Sequence, residues 1–126
     1  MYNLATLYSL GEGVACDRAN ALRLFRQAAA LGHVKSVNMI GSFYEDGWEV
    51  EADLAIAAEH YRRAAEGGDF RGQFNHARML LAAGESAEAS RWLDRVHETA
   101  PPAFIEKMKA WLAENAKPLT EGEQRR

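Results

Sequence analysis

Residues 37–72 read VNMIGSFYEDGWEVEADLAIAAEHYRRAAEGGDFRG, and residues 1–36, MYNLATLYSLGEGVACDRANALRLFRQAAALGHVKS, lie over them without a gap. Identical pairs run through both: Tyr8/Tyr44, Gly11/Gly47, Val14/Val50, Asp17/Asp53, Ala19/Ala55, Ala21/Ala57, Arg26/Arg62, Ala28/Ala64, Ala29/Ala65 and Gly32/Gly68. Similar pairs fill the intervals, among them Leu4/Ile40, Ala5/Gly41, Leu7/Phe43 and Phe25/Tyr61. The separation, 36 residues from Tyr8 to Tyr44, lies in the range of stacked supersecondary units. Neither unit hides its apolar face alone, so each is expected to pack on the next.

Within a unit, Met1, Leu4, Ala5 and Tyr8, like Val37, Ile40, Gly41 and Tyr44, stand at i, i+3, i+4 and i+7 and so share one helical face. Gly11 and Gly47 are expected to end that first helix by taking the left-handed backbone. Asp17 and Asp53 are suited to cap the next one. Its stripe is Ala21, Phe25 and Ala28 in one copy and Ala57, Tyr61 and Ala64 in the other, closed by Gly32 and by Gly67-Gly68. The small residues Ala5, Gly41, Ala28 and Ala64 let helices approach while the neighbouring aromatics fill the space beside them, and a larger residue at Gly41 is expected to push two helices apart. On this register Tyr44→Ala is expected to cost about 3–5 kcal/mol, and Ser42→Ala to be nearly silent for folding.

A third unit follows when Ala77 is set under Gly41 and Leu80 under Tyr44, with Ala89, Leu93 and Val96 in the second helix. Its turn, AAGES, is four residues shorter: Gly41 to Ala57 spans 16 residues, Ala77 to Ala89 only 12. Gln73 and His76 stand where the other units carry apolar residues, and His76 calls for a hydrogen-bond partner there. Pro101-Pro102 ends one helix and starts another. In that last helix Ile105, Met108 and Leu112 form a stripe flanked by Phe104 and Trp111, opposite a charged face with Glu106, Lys107, Lys109 and Glu114. The organisation expected is one domain over 1–115, with units at about 1–36, 37–72 and 73–100, a capping helix over 102–115 and a flexible tail over 116–126.

Composition narrows the function. The 126 residues are 48% hydrophobic and 26% charged, as in a globular domain. Fifteen Lys and Arg against eighteen Asp and Glu give a net charge of −3 with no basic block, which argues against a nucleic-acid surface. No run of roughly 18 apolar residues is present, so membrane insertion is not expected. The first residues lack a secretory pattern, and Cys16 is the single cysteine. A cytoplasmic setting is the expectation, with a periplasmic or secreted one if an upstream signal was removed.

The stretch Ile40-Gly41-x2-Tyr44 and the stretch Ala57-x3-Tyr61-x2-Ala64 follow the logic of tetratricopeptide repeats. The 36-residue period, the Gly-Glu-Gly-Val turn at 11–14, the Asp at 17 and 53 and the Ala-Ala-x2-Gly endings at 28–32 and 64–68 resemble the Sel-one-like subgroup of that superfamily, over about residues 1–99. The second turn, Gly47-Trp48-Glu49-Val50, departs from it by lacking the second glycine. Trp48, taken as the residue that replaces this glycine, reads as a partner anchor or as packing over the adjacent hairpin. The resemblance implies an all-α fold, a right-handed alpha-alpha superhelix of about three helix-turn-helix repeats plus the capping helix. It also implies a non-catalytic adaptor that holds a protein or peptide partner. First helices line the concave side of such a stack, so the residues beside their buried stripes are the candidate contacts: Tyr2, Thr6 and Ser9, then Asn38, Ser42 and Glu45, then Phe74, Arg78 and Leu81, with Phe74 and Leu81 read alternatively as filling space under neighbouring helices. The other reading is a self-assembly module forming a weak homodimer through the end of the stack at Met1.

Chemical motifs are weak by comparison. Gly11-Glu12-Gly13 follows no strand and lacks the lysine of a phosphate loop, and Gly41-Ser42 lacks the later glycine of a nucleophile elbow. His33, His60, His76 and His97 fall on different elements without metal-ligand spacing, so neither metal nor cofactor is expected. His60 reads as a helix-surface residue, Cys16 as an unactivated thiol, and Trp92 and Trp111 as links between the third unit and the final helix.

Overall fold

A computed structural model describes residues 17–124, with side chains through 115. The expectations for Tyr2, Thr6, Ser9, Gly11 and Cys16 lie outside the described residues. Among the described residues the regular structure is all helix: α1 (Arg18–Ala30), α2 (Val34–Asp46), α3 (Leu54–Glu66), α4 (Phe70–Ala82), α5 (Ser86–Thr99) and α6 (Pro102–Gln124). The repeat is visible in the starts. Arg18 and Leu54 are 36 residues apart, as are Val34 and Phe70, whereas Ser86 follows Leu54 by 32 because the α4–α5 turn is short.

Several boundaries have a local cause. The Asp17 carboxylate accepts the Asn20 N–H at 3.0 Å, and Asp53 Oδ1 accepts those of Ala55 and Ile56 at 3.0 and 3.1 Å, so both predicted caps are formed. Asp69 caps α4 in the same way through the Gly72 N–H at 3.0 Å. At the end of α2, Gly47 takes φ 73° and its N–H closes on the Phe43 carbonyl at 2.9 Å. The turn after it contains the residue that departs from the repeat: Glu49, aligned with Gly13, holds φ 62°. An L residue in this region costs about 1–2 kcal/mol, so the glycine's place belongs to Glu49 rather than to Trp48. Trp48 instead packs edge-on against Phe43, with ring centres 5.6 Å apart, and lies under the Arg18 guanidinium at 3.8 Å, tying α1 to this turn.

Successive helices from α1 to α5 pack on one another, and α2 also reaches past α3 to touch α4. The second-helix stripes are buried as the spacing requires: Ala21, Phe25 and Ala28 in α1, Ala57, Tyr61 and Ala64 in α3, Ala89 and Val96 in α5. Two close approaches set the helix spacing. A Cβ on Gly41 would lie 2.7 Å from Tyr61 Cε1, and one on Gly72 would lie 2.6 Å from the Ala64 Cβ and 3.0 Å from its carbonyl carbon. The first approach is inside a hairpin and the second joins one hairpin to the next.

The first-helix register needs one correction. Phe43, not Tyr44, fills the core, fully buried and edge-on to Phe25 at 5.9 Å. Tyr44 is half-buried at the rim, stacked on His60 at 5.8 Å, with its hydroxyl accepting a bond from Arg26 Nη2 at 3.3 Å. A helical face about 100° wide admits both neighbours, and the one that meets Phe25 of α1 is the one buried. The capping helix buries Met108 and meets α4 through Phe70–Phe104 at 4.9 Å, Phe74–Phe104 at 5.8 Å and Phe74–Trp111 at 5.4 Å. Its helical backbone runs through Gln124, past the boundary expected after residue 115. Trp92 makes its ring contact within the third hairpin, edge-on to His76 at 5.2 Å.

Candidate functional site

Because α2 and α4 are first helices of adjacent units, their neighbouring faces form one surface, and a polar ladder runs across it. Asn75 Nδ2 donates to Asn38 Oδ1 at 2.8 Å. Arg78 donates through Nη1 to Glu45 Oε2 at 3.1 Å and through Nη2 to Glu45 Oε1 at 2.9 Å, a two-pronged pair that fixes orientation as well as distance. The same guanidinium reaches Asn75 Oδ1 at 2.9 Å, so the two rungs form one network. From α3 below, the Tyr61 hydroxyl donates to Glu45 Oε1 at 2.5 Å and lies 3.3 Å from Ser42 Oγ.

Charges in this network hold one another. The bonds from Arg78, with a further one from Tyr61, keep the Glu45 carboxyl below the usual carboxylate range against an opposing effect of burial. Burial pushes the Tyr61 phenol up, and the adjacent Glu45 carboxylate pushes it further. Burial works against the Arg78 charge, but Glu45 outweighs it and the guanidinium is held above its ordinary value. Both members of the pair therefore remain ionised through the neutral range.

Asn38, Ser42, Glu45 and Arg78 are thus brought together, though not as freely pointing contacts. Asn38 is buried beneath its bond with Asn75, and Glu45 and Arg78 are about a quarter and a fifth exposed, at 24% and 20%. Ser42 is half-buried with its Oγ near the Tyr61 hydroxyl, Leu81 is half-buried on α4, and Phe74 turns toward Phe104 and Trp111 under the capping helix. Asn75 and the Tyr61 hydroxyl were not anticipated from the sequence. The signal for Asn75 was a polar residue at the place Met39 holds one repeat earlier. The rungs themselves span 37 and 33 residues rather than 36, since each side chain reaches a partner along the helix from its repeat equivalent.

Among the described residues no group of three or more His, Cys, Asp or Glu side chains is placed to hold a metal ion, and no helix is long and apolar enough to cross a membrane.

The Sel1 repeat family profile matches residues 1–33 and 34–69. Chitin synthase regulator SKT5 of Saccharomyces cerevisiae is 32% identical over 110 residues, covering 80% of this chain. The chain spans only 16% of that protein's length. Among solved structures, a Sel1 repeat protein from Oxalobacter formigenes superposes with a TM-score of 0.67 at 26% identity, over 77% of this chain and 42% of that one. Helicobacter pylori cysteine rich protein B gives 0.64 at 18% identity, over 80% of this chain and 86% of its own, a likeness of fold. This chain, with one cysteine, builds a similar fold without an internal disulfide.

Proposed function

The chain belongs to the Sel1 repeat family, and from that premise we propose that it is a non-catalytic adaptor holding a protein or peptide partner along the surface of its first helices. The observation that carries this reading is the ladder of Asn38, Asn75, Glu45 and Arg78. It holds two first helices at a set spacing, with Ser42 beside the Tyr61 hydroxyl at its edge, and Leu81, three residues beyond Arg78 on α4, is the apolar residue we assign to the same contact surface. Pre-ordering favours binding because little side-chain freedom is left to lose. A relative named as a regulator of a synthase supports a role exercised on another protein.

The test is capture of partners from the native source by wild type, by Ser42→Lys and Leu81→Lys, and by Arg91→Glu on α5 as a control away from the ladder. Each variant is first matched to wild type in helical content and urea midpoint. Loss of the same bound protein with both groove variants, and its retention with Arg91→Glu, is the expected result. Undiminished capture by both folded groove variants overturns the proposal.

A further inference from the structure

His76 occupies a core place in the third unit, 8% exposed, yet its Nδ1 is shut off from solvent and has no hydrogen-bond partner among the described residues. Its ring meets the edge of Trp92 on α5. The same side chain lines a cleft of about 530 Å³ between the second helices α3 and α5, walled by Arg62 and Glu66 of α3 and by Glu88, Arg91 and Arg95 of α5. Those charges are largely engaged with one another or with rings: Arg62 with Glu59 and Glu66, Arg91 loosely with Glu88 at 3.8 Å, Arg95 over Trp92 at 4.5 Å. On α4 itself the nearest charged side chain, Arg78, is committed to Glu45.

We propose that His76 makes the joint between the second and third hairpins acid-labile, so that α4 and α5 loosen from α3 as the pH falls from 7.5 toward 5.5. A neutral imidazole fits this site, whereas an imidazolium carries N–H groups on both nitrogens and one of them has no acceptor there. Burial accordingly holds the imidazole below its usual value, outweighing the attraction of Glu88 and Glu66.

The sign follows from linkage. The unfolded chain takes up a proton near the ordinary histidine value while the folded chain does not, so the stabilising effect is complete above that value and is lost as pH falls below it. Over this interval one such residue lowers the folding equilibrium constant by up to about tenfold. Other groups with shifted titration act elsewhere: Glu45, held low, loses its contribution only in the carboxylate range, and Asp69, raised by burial, acts in the opposite sense there. The joint's acid sensitivity stands apart from the groove reading. Only its consequence, release of a partner as the Asn38–Asn75 and Glu45–Arg78 rungs part, rests on that reading.

Urea unfolding at pH 7.5 and 5.5, followed by tryptophan emission, compares wild type with His76→Asn and His76→Leu. Wild type is expected to lose most of that tenfold and both variants to be relieved of it, the remaining histidines being common to all three. An NMR titration of wild type reads the same property without substitution: His76 is expected to titrate below 6.5, with amides of α4 and α5 losing exchange protection before those of α3. An equal pH loss in wild type and folded variants overturns the proposal, as does a His76 resonance titrating at or above 6.5.

Discussion

Phe43 and Tyr44 are adjacent in sequence and differ by one hydroxyl, yet they do different work. Phe43 is sealed between Phe25 and Trp48, so Phe43→Ala removes a buried ring and leaves a cavity, an expected loss of about 3–5 kcal/mol. Tyr44 keeps one face on His60 and its hydroxyl at the surface, so Tyr44→Ala is expected to cost less, about 1–2 kcal/mol. Urea denaturation of the two variants checks the order, and a Tyr44 loss equal to or above that of Phe43 contradicts it. The helical spacing of apolar residues was legible in the sequence. Which of two neighbouring aromatics turns inward was not, because the choice depends on where α1 lies. Glu49 is a second case: the loss of a turn glycine was legible in the repeat but was assigned to Trp48, and only the backbone, with φ 62° at Glu49, shows which residue took its place.

At the scale of the helix, spacing is governed by residues that lack bulk. Gly72 lies against the backbone of Ala64 and Ala65, which has no flexible end to swing away. Gly72→Ala is therefore expected to destabilise by about 1–3 kcal/mol through overpacking, although alanine is the better helix former. A thermal melt decides it, since a gain in Tm means that α4 and α3 have room to part. Gly41 works against the Tyr61 ring inside its hairpin, as its place in the repeat led one to expect. Gly72 was not singled out, because its counterpart Ser36 is not a glycine and no pattern within one unit reveals a contact between units.

Across the whole molecule, the ladder couples units that are each too small to hold an ordered surface alone. A double-mutant cycle on Glu45→Gln and Arg78→Met is expected to give a coupling of about 0.5–1 kcal/mol, kept modest because both side chains retain contact with water. Coupling indistinguishable from zero in the urea midpoints removes the ladder as a stabilising link between hairpins. Asn38, Ser42, Glu45 and Arg78 were legible as neighbours of the buried stripe, but not as one another's partners. Their pairing runs between units offset along the stack, and a repeat comparison aligns equivalents rather than neighbours.

By itself the sequence determined the helices, their caps at Asp17 and Asp53, the 36-residue period and the short third turn, since these follow from φ preferences, capping bonds and apolar spacing along a single chain. Only the tertiary structure decided that Phe43 goes inward, that Glu45 is spent on Arg78 and that His76 is buried with a nitrogen that has no partner among the described residues. Those outcomes depend on distances between helices that are far apart in sequence, and the competition for each buried place is settled only when the hairpins meet.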